Sequence, residues 1–483
     1  MERDTVDLRD LDRADPVIRP LAEAVRAEGG RAYLVGGFVR DLLLRRQAGR
    51  DGLPEEPAFD IEVYGLAAER LVPLLRRFGR VNLVGESFAV YKVAPRATAG
   101  SGPRPELDVS LPRRDQRVGA GHRGFAIEGD PDLPIEEAAR RRDFTVNAML
   151  VDPLGGGLLD PWNGRGDLRA GLLRAVDAAT FVEDSLRVLR AIQFAARFGF
   201  AIEPATAELC RTVDLGDLPA ERIWGEIEKL LMKSGRPSTG LDWALRLGVV
   251  DRLFPELLAL VGCPQEPEWH PEGDVWIHTL MAIDRARLEI DGLPYGRALV
   301  VMLATLCHDL GKPATTARVD GRIRSYEHEE AGVRPTLALL DRLKVRTLDG
   351  YDVRTQVVAL VNEHLAPSHL FKNRDNVGDG AFRRLARRLE PELLYRVSRA
   401  DCLGRTGDFK TDAQEWFIER VRSLGVEQKP PAPILMGRHL LEMGLPPGPE
   451  VGRVTKAVYE MQLDGRVTDL EGAIDAARTL LGR

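Results

Sequence analysis

The sequence predicts an α+β head, built as a small mixed sheet with helices, followed by all-α domains. Three observations carry this expectation. Up to about residue 155, short β-prone runs alternate with helical stretches. From about 180 to 260, and again over 275–405 and 434–483, apolar residues recur at three- and four-residue spacing, the period of a helix with one buried stripe. Pro264, Pro267 and Pro271, and later Lys429-Pro-Pro-Ala-Pro, punctuate the helical stretches where linkers belong.

Residues 20–30 read as a helix stopped by Gly29-Gly30. Ala32-Tyr-Leu-Val then forms a buried strand that runs into the Gly36-Gly37 turn, and Phe38–Leu44 forms the helix after it. Residues 45–58 are charged and contain Gly and Pro, so they form an exposed loop. Phe59-Asp-Ile-Glu-Val-Tyr alternates as a half-buried strand does, and Val81–Val84, Ala89–Val93 and Leu107–Leu111 are further strands. In the helical part, Leu186, Leu189, Ile192 and Phe194 share a face, as do Ile223, Ile227, Leu230 and Leu231. The resulting segments are 1–155, 156–262, 268–410 and 430–483.

At 483 residues the chain is long enough for about three or four domains of ~100–200 residues. Hydrophobic content of 44% and charged content of 29% place it among ordinary globular proteins rather than disordered chains. The net charge of −6 means that any nucleic-acid surface must be local. The opening Met1-Glu-Arg-Asp-Thr-Val-Asp lacks an apolar core, and no apolar run approaches the ~18–20 residues that span a bilayer, so a cytoplasmic protein with no membrane partner is expected. Cys210, Cys263, Cys307 and Cys402 are scattered without CxxC spacing and read as reduced thiols.

Two constellations carry chemistry. The first begins with Gly36-Gly37 at a strand-to-helix turn, where backbone N–H groups approach phosphate closely. Arg40-Asp41 follows, then Asp60-Ile-Glu62, whose two acids share one strand face and suit Mg²⁺, with Asp108 as a third acid on a later strand. Arg141-Arg142-Asp143-Phe-Thr-Val-Asn147 adds cations, an acid and an amide. Glu183-Asp184-Ser-Leu-Arg187-Val-Leu-Arg190 sets Asp184, Arg187 and Arg190 along one helix face. Each piece alone is ordinary: Gly-Gly is commonly a tight turn, and acid–arginine spacing commonly a surface ion pair worth a few tenths of a kcal/mol.

In order, Leu34-Val-Gly-Gly-Phe-Val-Arg-Asp, Arg-Arg-Asp-Phe-Thr-Val-Asn-Ala, Glu-Asp-Ser-Leu-Arg-Val-Leu-Arg and Glu221-Arg-Ile-Trp-Gly-Glu226 resemble the class II tRNA nucleotidyltransferase and bacterial poly(A) polymerase family over residues 30–260. The resemblance implies a nucleotidyltransferase head over 1–155 and a helical base-recognition neck over 156–262. It implies that Gly36, Gly37, Arg40, Asp41, Arg142, Asp143 and Asn147 hold the nucleotide, while Asp184, Arg187 and Arg190 face its base. A carboxylate accepts from an exocyclic amine and a guanidinium donates to a ring acceptor, so one pair serves both CTP and ATP. The implied partner is the tRNA 3′ end, and the implied cofactor Mg²⁺. One departure stands out: Ala58 occupies the place of the family's first metal aspartate. Either Asp60 and Glu62, with Asp108, have taken over as catalytic metal ligands, or the transferase has lost one.

The second constellation is histidine-rich, since six of the eight histidines lie between 270 and 369. His278, His308-Asp309 in Cys-His-Asp-Leu-Gly-Lys-Pro, and Asp401 in Ala-Asp-Cys-Leu-Gly-Arg resemble the ligand set of the HD phosphohydrolase superfamily, an all-helical metal-site fold. His328 and His364 are additional candidates; His270 is left half-assigned, and His122, His369 and His439 read as ordinary residues. Mixed His and carboxylate ligation suits Mn²⁺, Ni²⁺, Co²⁺ or Fe²⁺ better than an all-oxygen site does. With Trp269-His270-Pro-Glu272, the order of motifs resembles the HD-containing subgroup of bacterial CCA-adding enzymes. This implies an HD hydrolase over 268–410 and an RNA-contact or packing segment over 430–483. A poly(A) polymerase, or a phosphohydrolase whose transferase head only binds RNA, remain the open alternatives.

Overall fold

The computed structural model describes residues 5–54, 57–84, 90–95, 106–117 and 125–482. The chain divides into two compact units, residues 1–223 with 246–248, and 224–245 with 249–483. The expected segment 156–262 is therefore shared out between the two.

The first unit carries a seven-stranded mixed sheet in the order β3-β4-β5-β2-β1-β8-β9. Its strands are β1 (Arg31–Val35), β2 (Asp60–Tyr64), β3 (Gly79–Val84), β4 (Val90–Pro95), β5 (Leu107–Ser110), β8 (Leu150–Val151) and β9 (Leu158–Leu159). A separate hairpin pairs β6 (Arg113–Arg117) with β7 (Phe125–Gly129). Each strand expected in the head is present where the alternating pattern placed it; of the expected strand at Ala89–Val93, Ala89 itself lies outside the described residues.

β1 is buried from Ala32 to Val35 and β2 from Ile61 to Tyr64, so both faces of these central strands are covered. Leu34, Ile61 and Val63 are fully or nearly fully buried. Tyr33, Val35, Tyr64, Leu133, Ala138 and Leu150 form a cluster. Asp60, the first residue of β2, is left exposed at the strand's open end. A central strand reads as a continuous apolar run because both faces pack, and the acids then stand out as departures with a purpose.

The helix α1 (Gly37–Gln47) follows the glycine turn, and α2 (Leu186–Phe198) buries Val188, Leu189, Ile192 and Ala195. Phe144 is fully buried, with its ring 5.8 Å from that of Phe181 and 5.9 Å from that of Phe194, both edge-on. Phe144→Ala is expected to destabilise this unit by about 3–5 kcal/mol, the cost of lost transfer energy plus a cavity. A shift of the first unit's denaturation midpoint checks it.

The second unit is helical. Its centre is α3 (Val275–Glu289), α4 (Tyr295–Cys307), α5 (Val353–Glu363) and α6 (Pro391–Leu403), with α3 packed on α4 and α6, and α4 packed on α5 and α6. In α4 every residue from Ala298 to Cys307 is buried, which is why its sequence is apolar all round and shows no polar face. Two short hairpins interrupt the helices, Thr316–Val319 with Arg322–Ser325 and Thr347–Leu348 with Tyr351–Asp352; helical periodicity elsewhere in 275–405 hid them. Asp320 and Gly321 take positive φ in the first hairpin and Asp349 and Gly350 in the second, as two-residue turns require. The helices Gly437–Glu442, Pro449–Leu463 and Leu470–Leu481 close over their own core of Leu440, Val454, Val458, Ala473 and Ala477.

Candidate active sites

The first site grows out of strand register. β2 and β5 run parallel with Asp60 opposite Asp108, Ile61 opposite Val109 and Glu62 opposite Ser110. β1 sets Val35 beside Asp60, and β4 sets Lys92 beside Asp108. One cross-strand row therefore reads Val35, Asp60, Asp108, Lys92. Neighbouring strands lie ~4.8 Å apart, so the two aspartates stand within reach of a shared divalent ion. Both line a cleft of about 290 Å³, together with Glu62, Ser110, Arg113, Arg141 and Arg142. The cleft walls desolvate the Asp60 carboxyl although one edge is open, and Asp108 adds like charge; together they raise its pKa above the ordinary carboxylate value. Lys92 Nζ, 3.0 Å from Asp108 Oδ1, steadies the other acid.

Glu62 sits differently. Its side chain is almost fully buried, Arg141 Nη2 is 3.2 Å from Oε1, Arg142 Nη2 is 3.2 Å from Oε2, and the Tyr64 hydroxyl donates to Oε2 at 2.8 Å. Burial raises the carboxyl pKa, but Arg142, Arg141 and Tyr64 overcome it and hold Glu62 below its ordinary value. Glu62 was expected to pair with Asp60 as a metal ligand. The fold places Asp108 opposite Asp60 and leaves Glu62, one row along the same face, with both its oxygens engaged by arginines. Among the described residues, no group of three carboxylates converges here as the histidine clusters below do. Ala58 is exposed just ahead of β2.

The glycine turn faces this pair. Gly36 has φ +68, and a Cβ built there would lie 3.4 Å from Arg142 Nη1 and 3.7 Å from Asp60 Oδ2. The turn is thus backbone laid directly against an arginine and an acid. Gly37 opens α1, whose first backbone N–H groups point into the turn. Gly36→Ala is expected to cost about 1–3 kcal/mol in backbone strain, as read by thermal denaturation.

Beneath the turn lies a buried polar layer. Arg40 Nη1 donates to Asn147 Oδ1 at 2.7 Å and Nε donates to Asp41 Oδ1 at 2.8 Å. Its guanidinium carbon sits 4.5 Å from the centroid of Phe198 and 5.1 Å from that of Phe194. Asn147 Nδ2 donates to Asp143 Oδ1 at 2.9 Å, and Arg190 Nη2 lies 2.6 Å from Asp143 Oδ2. The structure thus joins Arg40, Asp41, Asp143, Asn147 and Arg190 in one network, from residues up to 107 positions apart in a single bond. Arg40 and Asn147 are buried, so they support the turn from below.

At the N-terminal end of α2, Asp184 is partly exposed and lies 3.3 Å from Arg222 Nη2. Arg187 Nη1 donates to the Thr180 carbonyl at 2.6 Å and Nη2 to that of Arg141, so its guanidinium is oriented by backbone. Desolvation lowers the Arg187 pKa, opposed by Asp143 and Asp184. Asp184 and Arg187 stand at the same helix end, but their side chains take other partners: Asp184 pairs with Arg222, which the sequence reading did not assign, and Arg187 bonds backbone carbonyls.

The second site lies wholly in the second unit. His278 comes from α3, His308 and Asp309 from the end of α4, His364 from the end of α5, and Asp401 from α6; His328 begins the short helix His328–Ala331. All six are buried. His278 Nε2 is 3.1 Å from Asp401 Oδ1 and 3.3 Å from His308 Nε2; His308 Nε2 is 3.3 Å from Asp309 Oδ2. His328 Nε2 is 3.3 Å from His364 Nε2 and 3.4 Å from Asp309 Oδ1. Every histidine expected at this site, His328 and His364 included, is therefore brought to it.

The opposite ring nitrogens are all tied back. His308 Nδ1 donates to the Thr305 carbonyl at 2.7 Å, His328 Nδ1 to that of Ser325 at 2.8 Å, and His364 Nδ1 to that of Val361 at 2.7 Å. His278 Nδ1 donates to Glu272 Oε1 at 3.0 Å, and His270 Nδ1 to the same oxygen at 2.9 Å. A carbonyl or carboxylate can only accept, so each Nδ1 carries a proton and Nε2 is the atom each neutral ring would turn to a metal, the arrangement that metal-binding histidines use. Burial, then the neighbouring His328 and His308, push His364 down to about 3, which keeps it neutral. Burial opposes ionisation of Asp309, but His308 and Lys312 hold it well below the carboxylate range. This donor set fits a borderline divalent metal.

Around it is a cleft of about 530 Å³ lined by Trp269, Tyr326, Lys312, Arg405 and Lys372 among others. Lys312 Nζ lies 2.8 Å from Asp309 Oδ2, and Arg405 Nη2 3.3 Å from Asp401 Oδ1. Sequence reasoning missed Lys92, Arg222, Glu272, Lys312 and Arg405 as site residues. Arg405 and Lys312 carried a usable signal, standing four and three residues after a candidate ligand acid on helical turns. Lys92 carried none, because only sheet register brings it to Asp108.

Comparison with known proteins matches residues 32–174 to the poly(A) polymerase head domain. Residues 199–260 match the family described as the probable RNA and SrmB-binding site of polymerase A. The multifunctional CCA protein of Laribacter hongkongensis is 36% identical over 387 residues, 78% of this chain and 86% of that protein. That of Thioalkalivibrio sulfidiphilus is 37% identical over 393 residues, with the same shares. Among solved structures, the Bacillus stearothermophilus CCA-adding enzyme in complex with CTP aligns with a TM-score of 0.62 at 22% identity, covering 96% of this chain and 97% of that one. The Thermotoga maritima CCA-adding enzyme complexed with tRNA aligns with a TM-score of 0.60 at 21% identity, over 99% and 98%. At such identity the structures speak for the fold, and the relatives matched along most of their length speak for descent. The glycine turn, the aspartates and the arginine network thus belong to a chain that is a member of the class II nucleotidyltransferase family, alongside the multifunctional CCA proteins.

Proposed function

We propose that this chain is a template-independent nucleotidyltransferase that adds C and A, from CTP and ATP, to the 3′ end of tRNA, and that its second unit is an HD-type phosphohydrolase. The observation that carries the first half is the registration of Asp60 with Asp108 across β2 and β5, opposite the Gly36 turn and Arg142. Asp60 and Asp108 are the residues that would hold Mg²⁺, which when bound neutralises triphosphate charge and favours ionisation of the primer 3′ hydroxyl. Gly36 and Gly37 present backbone N–H groups to the triphosphate, and Arg142 supplies a cation at the same place. Arg40, Asn147, Asp143 and Arg190 keep that turn in position. Asp184 accepts the exocyclic amine that both C and A carry, while Arg187, oriented by Thr180 and Arg141, faces the ring acceptor beside it. U and G present a carbonyl where that amine stands and are disfavoured.

In the second unit, His278, His308, Asp309 and Asp401 would hold a transition metal such as Mn²⁺, Ni²⁺ or Co²⁺, which when bound polarises a phosphoryl oxygen and acidifies water. Lys312 and Arg405 stand beside the ligand acids and take up phosphoryl charge. Trp269 and Tyr326, 46% and 65% exposed, offer ring faces at the cleft to a nucleoside.

The test is incubation with Mg²⁺, single NTPs, and tRNA ending before CCA, after C or after CC, resolved at one nucleotide. C then A addition that stops at CCA is expected. A alone after CC would make it a partial enzyme, and long A tails a poly(A) polymerase. No addition from any primer would overturn the transferase reading.

A further inference from the structure

We propose that Lys92 is a positioning residue of the transferase cleft: its ammonium holds Asp108 and keeps the nucleotide-free cleft from taking up a divalent cation, so that the ion enters together with the triphosphate. The proposal rests on the transferase reading above and adds to it an order of arrival and the residue that imposes it.

The placement comes from strand alternation. On β4, Tyr91 and Val93 are buried, and Val90 and Lys92 stand on the opposite face. Val90 lines the cleft. On β5, Leu107 and Val109 are buried, while Asp108 and Ser110 turn to the cleft. The antiparallel register sets Lys92 directly across from Asp108. Side-chain period and register together therefore bring a cation to the outer side of the aspartate pair.

The contact is one of charge more than of hydrogen bonding. Lys92 Nζ lies 3.0 Å from Asp108 Oδ1 and donates to Oδ2 at 3.4 Å. Glu106 Oε2 is farther, at 4.0 Å. Asp108 Oδ1 is enclosed and, among the described residues, accepts no hydrogen bond. A buried carboxylate oxygen without a donor is costly unless a cation stands beside it. In the nucleotide-free chain Lys92 is that cation.

The rest of the cleft has no surplus negative charge to draw an ion. Asp60, Glu62 and Asp108 line it, and so do Arg113, Arg141 and Arg142. Arg141 and Arg142 are held on the two oxygens of Glu62. With Lys92 on Asp108, cations offset the carboxylates among the described residues of the cleft. A divalent cation arriving alone must displace an ammonium from Asp108 and meets little net attraction. A triphosphate carries several negative charges, and an ion that enters with it regains the attraction that Lys92 cancels. Lysine suits this task as a compact charge on a flexible stem, and the half-exposed Lys92 side chain can leave Asp108 without moving the strand.

The experiment measures Mn²⁺ binding to the full chain by electron paramagnetic resonance, without primer, in the presence and absence of CTP. Retention of labelled CTP is followed by dialysis in parallel. The cleft's share is the part lost in the Asp60→Asn/Asp108→Asn chain, since the histidine site is the same in both. The wild type is expected to leave the cleft without Mn²⁺ at concentrations that fill it once CTP is present. Lys92→Met and Lys92→Gln are each expected to tighten nucleotide-free Mn²⁺ binding about tenfold, the effect of removing one positive charge a few ångströms from the ion. Lys92→Arg is expected to behave as the wild type. Lost structure would weaken metal binding, whereas lost positive charge strengthens it. A wild-type cleft that binds Mn²⁺ equally well with and without CTP would overturn the proposal, as would unchanged or weaker Mn²⁺ binding in both neutral variants; either result leaves the transferase reading standing. CTP retention indifferent both to Mn²⁺ and to the Asp60→Asn/Asp108→Asn change would overturn the two together.

Discussion

Asp60→Asn is expected to reduce nucleotide addition by about a thousandfold or more, while phosphoester hydrolysis in the second unit stays within about twofold. Losing a metal carboxylate removes several kcal/mol of charge stabilisation at the α-phosphate, and ~4 kcal/mol is about three decades in rate. Folding should not suffer. The ionised Asp60 is disfavoured by desolvation and by Asp108, so an isosteric amide relieves like-charge repulsion. Glu62→Gln makes the contrast. It leaves Arg141 and Arg142 facing a neutral group in a buried site, and breaking such a cluster costs about 3–5 kcal/mol. Primer-extension rates and thermal midpoints of both variants separate the roles. If Glu62→Gln abolished addition without destabilising the chain and Asp60→Asn were active, the metal pair would be assigned wrongly.

His308→Ala is expected to abolish phosphoester hydrolysis by the second unit, a loss of about a thousandfold or more, with nucleotide addition retained within about twofold. His308 stands between His278 and Asp309 and is anchored by Thr305, so the variant removes a ligand from the centre of the cluster. Chelation of the wild-type chain should reproduce the loss, and Mn²⁺ or Ni²⁺ should restore it only where His308 is present. A parallel fall in both activities would mean that the two sites do not act independently.

The parts of this protein that were legible from residues alone are those set by local physics. Period-two and period-3.6 patterns placed β1, β2, β5 and the helices, because strand and helix each show their buried face within a few residues. Short motifs placed the glycine turn, the Asp184–Arg187 helix end and the His308-Asp309 pair, because a tight turn or adjacent ligands need no distant partner. The hairpins inside 316–325 and 347–352 were hidden, being four-residue and two-residue strands among helices.

Tertiary structure decided which candidates meet. Asp60 and Glu62 share a strand face by sequence, yet the parallel register of β2 with β5 pairs Asp60 with Asp108 and gives Glu62 to two arginines. No local pattern contains that choice, since it depends on strands 48 residues apart. Likewise His278 and Asp401 touch across 123 residues, and His328 with His364 across 36. The sequence by itself determined the strands, the helices and the chemical types available. Register and helix packing determined which acids pair, which histidines converge, and which charge is buried, because those outcomes rest on contacts between segments whose separation along the chain carries no information about their separation in space.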